Sequence, residues 1–232
     1  MKYLGNLLLL SLPFFAACAA LDAPDQPSVD PAPIQASKNQ KLSFQDRLEM
    51  AEAYDRHGLS DKAYEEYKTA LSLEPDNEKV LVALVRNASN TTRYEEAETY
   101  CRRALELNPR QQEMLYYQGW LSVKLREDYG AAQASIDRAI EMATLKKPFF
   151  MQTKGLFLVE EGRNEEAAAI FRAAITEADR TQMPDKERAY LKLSLYKNLG
   201  RALRKMGRED EAQEALTHAY GIANSLGVSS ID

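Results

Sequence analysis

Leu71-Ser72-Leu73-Glu74-Pro75 returns as Leu105-Glu106-Leu107-Asn108-Pro109, and the two prolines are 34 residues apart. The residues ahead of them keep the same phase: Ala63, Tyr67 and Ala70 answer to Ala97, Cys101 and Ala104. Downstream, Gly162-Arg163-Asn164-Glu165-Glu166-Ala167 matches Gly207-Arg208-Glu209-Asp210-Glu211-Ala212, and the two runs continue to Phe171 and Ala174, and to Leu216 and Ala219. A fixed period of this length means one supersecondary unit copied along the chain, each copy needing its neighbours to cover its apolar face.

The alternation of small and large residues says what the unit is. Ala51, Gly119, Gly155 and Gly200 would let a partner helix approach closely, as would Ala63, Ala97, Ala132, Ala167 and Ala212 from the partner's side. Tyr54, Tyr67, Phe171 and Leu216 would fill the space between units, and Cys101, at one of these large core positions, reads as a buried thiol. Gly58, Gly162 and Gly207 fall where paired helices must turn. Asn108-Pro109 reads as an N-cap followed by Pro at the first helical position. Period, phase and residue type together resemble the tetratricopeptide repeat family, whose unit is two antiparallel helices. That resemblance implies an all-α, right-handed superhelical solenoid of about five hairpins spanning residues 43–227. Units are expected to start near Phe44, Glu78, Gln112, Pro148 and Leu193, with about two extra residues near Glu127 to Gly130 and about eleven through Arg180 to Arg188. The larger insertion is expected to form a loop at Thr181 to Asp185 and a long helix from about Lys186 to Met206. The last helix, ending near Gly227, should show a polar outer face.

Ahead of the repeats the composition changes. Met1-Lys2 precedes an apolar run from Leu4 to Phe15, too short for a spanning helix of roughly 20 residues. It ends in small residues, Phe15-Ala16-Ala17-Cys18, and reads as a signal peptide over residues 1–17. The ending also resembles the lipobox of bacterial lipoproteins, with Phe where Leu is usual, which implies lipidation of Cys18 by palmitate-type acyl chains. Ala19 stands where Asp would resemble an inner-membrane retention signal, so the resemblance implies the outer membrane, facing the periplasm. Residues 18–42 would be the lipidated cysteine and a disordered tether, since four of the nine prolines fall between Ala23 and Pro33 and large apolar residues are nearly absent. Such a tether would reach about 25 Å on average.

The net charge is −5, and −6 without the first 17 residues, which disfavours nucleic acid as a partner. Two cysteines far apart and two histidines, His57 and His218, give no metal or disulfide framework. No nucleophile elbow, phosphate loop or HExxH motif is present, so neither catalysis nor a cofactor is expected. The function expected is binding of a protein.

In the resembled family the first helices of successive units line a concave groove. Projected onto this chain, an acidic start (Gln45, Glu52, Asp55) is followed by Lys79, Arg86 and Asn90. An apolar centre comes next: Tyr116, Trp120 and Val123, then Phe149, Leu156 and Val159. A basic end follows, made of Lys197, Arg201, Arg204 and Lys205. Such a groove would suit a peptide with large apolar anchors and an acidic or carboxylate end. Two alternatives stay open: Tyr116 and Trp120 as ordinary core, and the basic cluster as a solvated face paired with nearby glutamates. Lipobox and repeats together resemble two groups of lipoproteins. One assists assembly of pili and secretion channels; the other recruits peptidoglycan synthases and hydrolases. The apolar centre favours the first.

Overall fold

The computed structural model describes residues 42–125 and 129–228. The expected signal peptide, Cys18, the tether up to Lys41, and Glu127 and Asp128 of the expected insertion lie outside the described residues. Ten α-helices, and no strands, are found among the described residues, which fall into two compact units, one ending at Leu125 and the other beginning after it.

The first unit holds α1 (Phe44–Arg56), α2 (Ser60–Leu73), α3 (Glu78–Asn90), α4 (Tyr94–Leu107) and α5 (Gln112–Lys124). Each packs on the next, and α3 also reaches α5. Ser43 starts α1 with a reciprocal cap: its hydroxyl accepts from the Asp46 N–H at 3.2 Å, and the Asp46 carboxylate accepts from the Ser43 N–H at 2.8 Å. Asn77 caps α3 by accepting from the Val80 N–H at 3.2 Å. Tyr64, Tyr67, Leu81, Leu84 and Tyr117 are fully buried and form the core between hairpins.

The expectation for Asn108 is corrected here. Asn108 ends α4, its backbone N–H donating to Ala104 O at 2.9 Å while its side chain accepts from the Arg110 N–H at 3.3 Å. The cap of α5 is Gln111, whose side chain accepts from the Met114 N–H at 2.8 Å. An Asx-type turn takes the asparagine, so Pro109 sits in the loop rather than at the first helical position.

The second unit holds α6 (Tyr129–Met142), α7 (Lys147–Glu160), α8 (Asn164–Arg180), α9 (Asp185–Lys205) and α10 (Glu209–Ser225). Here too each helix packs on the next, and α7 also meets α9. Glycine makes the close approaches. A Cβ on Gly155 of α7 would lie 2.4 Å from the Phe171 ring of α8, and one on Gly200 of α9 would lie 3.0 Å from Leu216 Cγ of α10. The inserted residues extend α8 and α9, leaving only residues 181–184 outside helix. Arg188 ties that turn down, donating to Asp185 at 2.8 Å and to Met183 O at 2.9 Å. The outer face of α10 exposes Gln213, Glu214, Thr217, His218 and Asn224, with Tyr220 the apolar exception.

One turn recurs within the hairpins. Residues 58, 162 and 207 are glycines with φ of +69°, +78° and +72°, and the next residue's N–H closes back onto the first helix. Leu59, Arg163 and Arg208 donate to Tyr54, Leu158 and Leu203 carbonyls at 2.9, 2.8 and 3.1 Å. The second hairpin makes the same turn with Thr92 at φ 61°.

Candidate partner-binding faces

The ten residues expected to face a partner divide between the two units, and burial divides them again. In the first unit, Tyr116, Trp120 and Val123 of α5 are 1, 2 and 7 % exposed. Trp120 meets Tyr94 edge to face at 5.5 Å, and the Lys124 ammonium stands over both rings, 5.1 Å from Trp120 and 5.9 Å from Tyr94. Burial pushes the Lys124 pKa down. In the second unit, Phe149 and Val159 of α7 are also buried, while Leu156 is partly exposed. The open apolar centre expected from the sequence is therefore corrected: apart from Leu156, these side chains are core. An internal first helix is covered from more than one side, α5 by α4 and α3, and α7 by α6, α8 and α9, so its apolar arc is wider than a single hairpin needs.

The charged positions behave differently in the two units. Glu52 of α1 pairs with Lys79 of α3 at 2.6 Å, and Asp55 with Arg86 at 3.6 Å. Asp55 also accepts from the Asn87 amide at 3.4 Å and the Tyr67 hydroxyl at 3.5 Å. Desolvation, and after it the Asp55 charge, pushes the Tyr67 phenol pKa up. The acidic positions of α1 and the basic positions of α3 thus neutralise each other. In the second unit, Lys197 and Arg201 of α9 are partly exposed and Arg204 and Lys205 exposed. Arg204 lies 3.8 Å from Glu209. The Gln152 amide donates to Ser194 Oγ at 2.6 Å, linking α7 to α9 beside this face.

Sequence reasoning passed over a second set of cations. Arg93, Arg163 and Arg208 each stand just before a second helix and reach back toward the second helix of the preceding hairpin. Arg93 bonds Asp61 at 2.6 Å and lies 4.4 Å above the Tyr64 ring. Arg163 holds Glu166 through two bonds of 2.7 and 2.6 Å and reaches Gln133 at 3.2 Å. Arg208 holds Glu211 at 2.6 and 2.7 Å and Glu165 at 3.0 Å. These bonds hold the Glu166 and Glu211 carboxyls below the ordinary glutamate pKa. The signal was the Gly-Arg pair at 162–163 and 207–208, in phase with Thr92-Arg93. Its role is to staple one hairpin to the next.

Among the described residues no group of three or more His, Cys, Asp or Glu could hold a metal ion. Cys101 is buried, its thiol donating to Met114 O at 3.2 Å, and desolvation pushes its pKa up to about 12. No helix of the described residues is long and apolar enough to cross a membrane.

Comparison with known proteins agrees with the hairpins. Profiles of the tetratricopeptide repeat match residues 47–77, 82–144, 124–182 and 188–225. No curated protein matches the chain. Solved structures share the fold at low identity. MamA from Desulfovibrio magneticus RS-1, residues 41 to the end, is 16 % identical with a TM-score of 0.63, covering 78 % of this chain and 96 % of its own. YrrB, a tetratricopeptide repeat protein with an unusual peptide-binding site, is 20 % identical with a TM-score of 0.57, covering 84 % of this chain and 93 % of its own. A tetratricopeptide repeat protein from Parabacteroides merdae ATCC 43184 is 20 % identical with a TM-score of 0.63, covering 83 % of this chain and 75 % of its own. With its repeats matched from residue 47 to residue 225, the chain belongs to the tetratricopeptide repeat family.

Proposed function

We propose that the protein is a lipid-anchored scaffold on the periplasmic face of the outer membrane that binds another protein and assists assembly or localisation of a pilus or secretion channel. One coincidence carries this: tandem tetratricopeptide hairpins, which generally mediate protein–protein interaction, follow a lipobox-like Phe15-Ala16-Ala17-Cys18. YrrB, with its peptide-binding site, supports protein binding on this fold. No side-chain constellation suggests turnover, so the protein acts by holding a partner.

A second reading has its own support. Burial of Tyr116, Trp120, Val123, Phe149 and Val159 leaves mainly charged and polar surface for contact. Such a surface suits a folded, soluble partner, as an adaptor for peptidoglycan synthases or hydrolases would need. In-membrane crosslinking of the full chain, followed by mass spectrometry, separates the two. Channel or pilus subunits captured, with those subunits left unassembled and the wall normal in a deletion strain, support the assembly role. Wall enzymes captured, with a wall defect and normal channels, replace it with the adaptor role. No captured protein in either setting overturns both.

A further inference from the structure

From Ala215 to Ile231 the chain carries no Asp, Glu, Lys or Arg, the longest such run after Leu42 in a protein of which 28 % of residues are charged. Burial does not explain it. Much of the run lies on α10, where Thr217, Tyr220, Gly221 and Asn224 are exposed.

Register shows which face this is. The turns at Gly162 and Gly207 put Ala168 and Ile175 of α8 in phase with Gln213 and Tyr220 of α10. Ala168 and Ile175 are 0 and 9 % exposed, whereas Gln213 is exposed and Tyr220 is 49 % exposed. α8 is packed between α7 and α9, and α10 packs on α9. The positions open on α10 are thus those that a following helix covers on α8. Gly221 lies beside them. Glycine inside a helix costs about 1 kcal/mol against alanine. At Gly155 and Gly200 a neighbouring helix occupies the space a Cβ would take; at Gly221 nothing lies within 4 Å of it. At 100° per residue Thr217, Gly221 and Asn224 share one side of α10, with Tyr220 at its edge.

We infer that this face of α10 docks on the same face of a second copy of the chain. Charge chooses the occupant. About a two-fold axis a surface meets itself, so an exposed charge near the axis meets its own kind, and copies of a protein with net charge −5 already repel. A surface serving a different protein is under no such constraint, because that protein can supply the opposite charge. With the two helices antiparallel and the axis near Gly221, Glu209 to Glu211 and Glu214 stand about 10–18 Å from it, on opposite sides in the two copies. Like charges are therefore kept apart. One side of a few helical turns buries less than the roughly 800 Å² per partner of a stable complex, so the pair is weak. Confinement of copies to one surface, as by the anchor proposed above, raises its population.

The test is sedimentation equilibrium of the full-length chain in a detergent matched to the solvent density. A monomer–dimer equilibrium is expected, undiminished between about 0.05 and 0.5 M salt because no ion pair holds it. Gly221→Arg should weaken it by about tenfold or more, since the two arginines meet near the axis. Arginine is the better helix former, so the circular dichroism melt of the variant should not fall. Asn224→Cys should cross-link two copies under mild oxidation, and Thr176→Cys, equally exposed but on α8, should not. A monomer at every concentration, an equilibrium that salt weakens, or indifference to Gly221→Arg overturns the inference, as does equal cross-linking through Thr176→Cys. None of these outcomes bears on the anchor or the protein partner, so the scaffold function stands or falls separately.

Discussion

Thr92 is the residue most at odds with its surroundings. Three of the four described turns within hairpins use glycine at positive φ, and none of those glycines has an atom within 4 Å of where a Cβ would sit. They are present for backbone freedom, not for space. Thr92 adopts φ 61° with a β-branched, exposed side chain, a conformation costing about 1–2 kcal/mol. Thr92→Gly should therefore raise stability by about 1 kcal/mol, allowing for the glycine's greater freedom when unfolded, and lift the melting temperature by about 2–4 °C. A thermal melt that falls instead would mean the threonine makes a compensating contact. Cys101 gives a second expectation at this scale. With its pKa pushed up to about 12 and its side chain 1 % exposed, it should resist thiol reagents at pH 8 in a Cys18→Ser chain until denaturant unfolds the protein. Rapid labelling of the native chain would show that the core opens locally.

At the scale of helices, the 34-residue phase was legible because small residues are forced wherever two backbones meet. Gly155 shows how strictly. Gly155→Ala would place a methyl 2.4 Å from the Phe171 ring, and overpacking of this kind costs about 1–3 kcal/mol. Urea unfolding should show that loss, and Phe171→Leu in the same chain should recover part of it; an unchanged midpoint would mean the ring swings aside freely. Other features were not legible. Asn108-Pro109 carries the residues of a helix start, but the asparagine's own turn claims it first. Trp120 and Tyr116 sit at groove-facing phases, yet phase along one helix does not reveal how many neighbours cover it. The arginine staples escaped notice because a Gly-Arg pair looks like an ordinary turn until Gln133 and Glu165 are seen across it. Those staples set a pH dependence. The Glu166 and Glu211 pKa values are depressed in the folded state, first by the arginine hydrogen bonds. Their contribution is therefore present above the unfolded glutamate pKa and is lost as pH falls through the lower folded value. Wild type should melt above the Glu166→Gln, Glu211→Gln variant at pH 7 and converge with it in acid. A gap that persists at the lowest pH would assign the difference to packing.

For the molecule as a whole, the question is what places these hairpins where they act. The apolar run from Leu4 to Phe15 is too short to span a bilayer, and no described helix can do so. In the function proposed above, membrane residence depends on acyl chains at Cys18, each buried CH₂ contributing about 0.8 kcal/mol, so that two or more chains hold firmly where one does not. Expressed in an enteric host, the wild-type chain should take up labelled palmitate and fractionate with the outer membrane. Cys18→Ser should remove the label and release the chain to the soluble periplasm. Retention of that variant in membranes would place the anchor elsewhere. Ala19→Asp sharpens the test, because it changes the address and leaves the lipid. The label should persist while the chain moves to the inner membrane, away from any partner held at the outer one. If a captured partner is lost on this substitution while the hairpins stay folded, location and recognition are separate requirements. If the partner follows the chain inward, recognition alone sets the assembly.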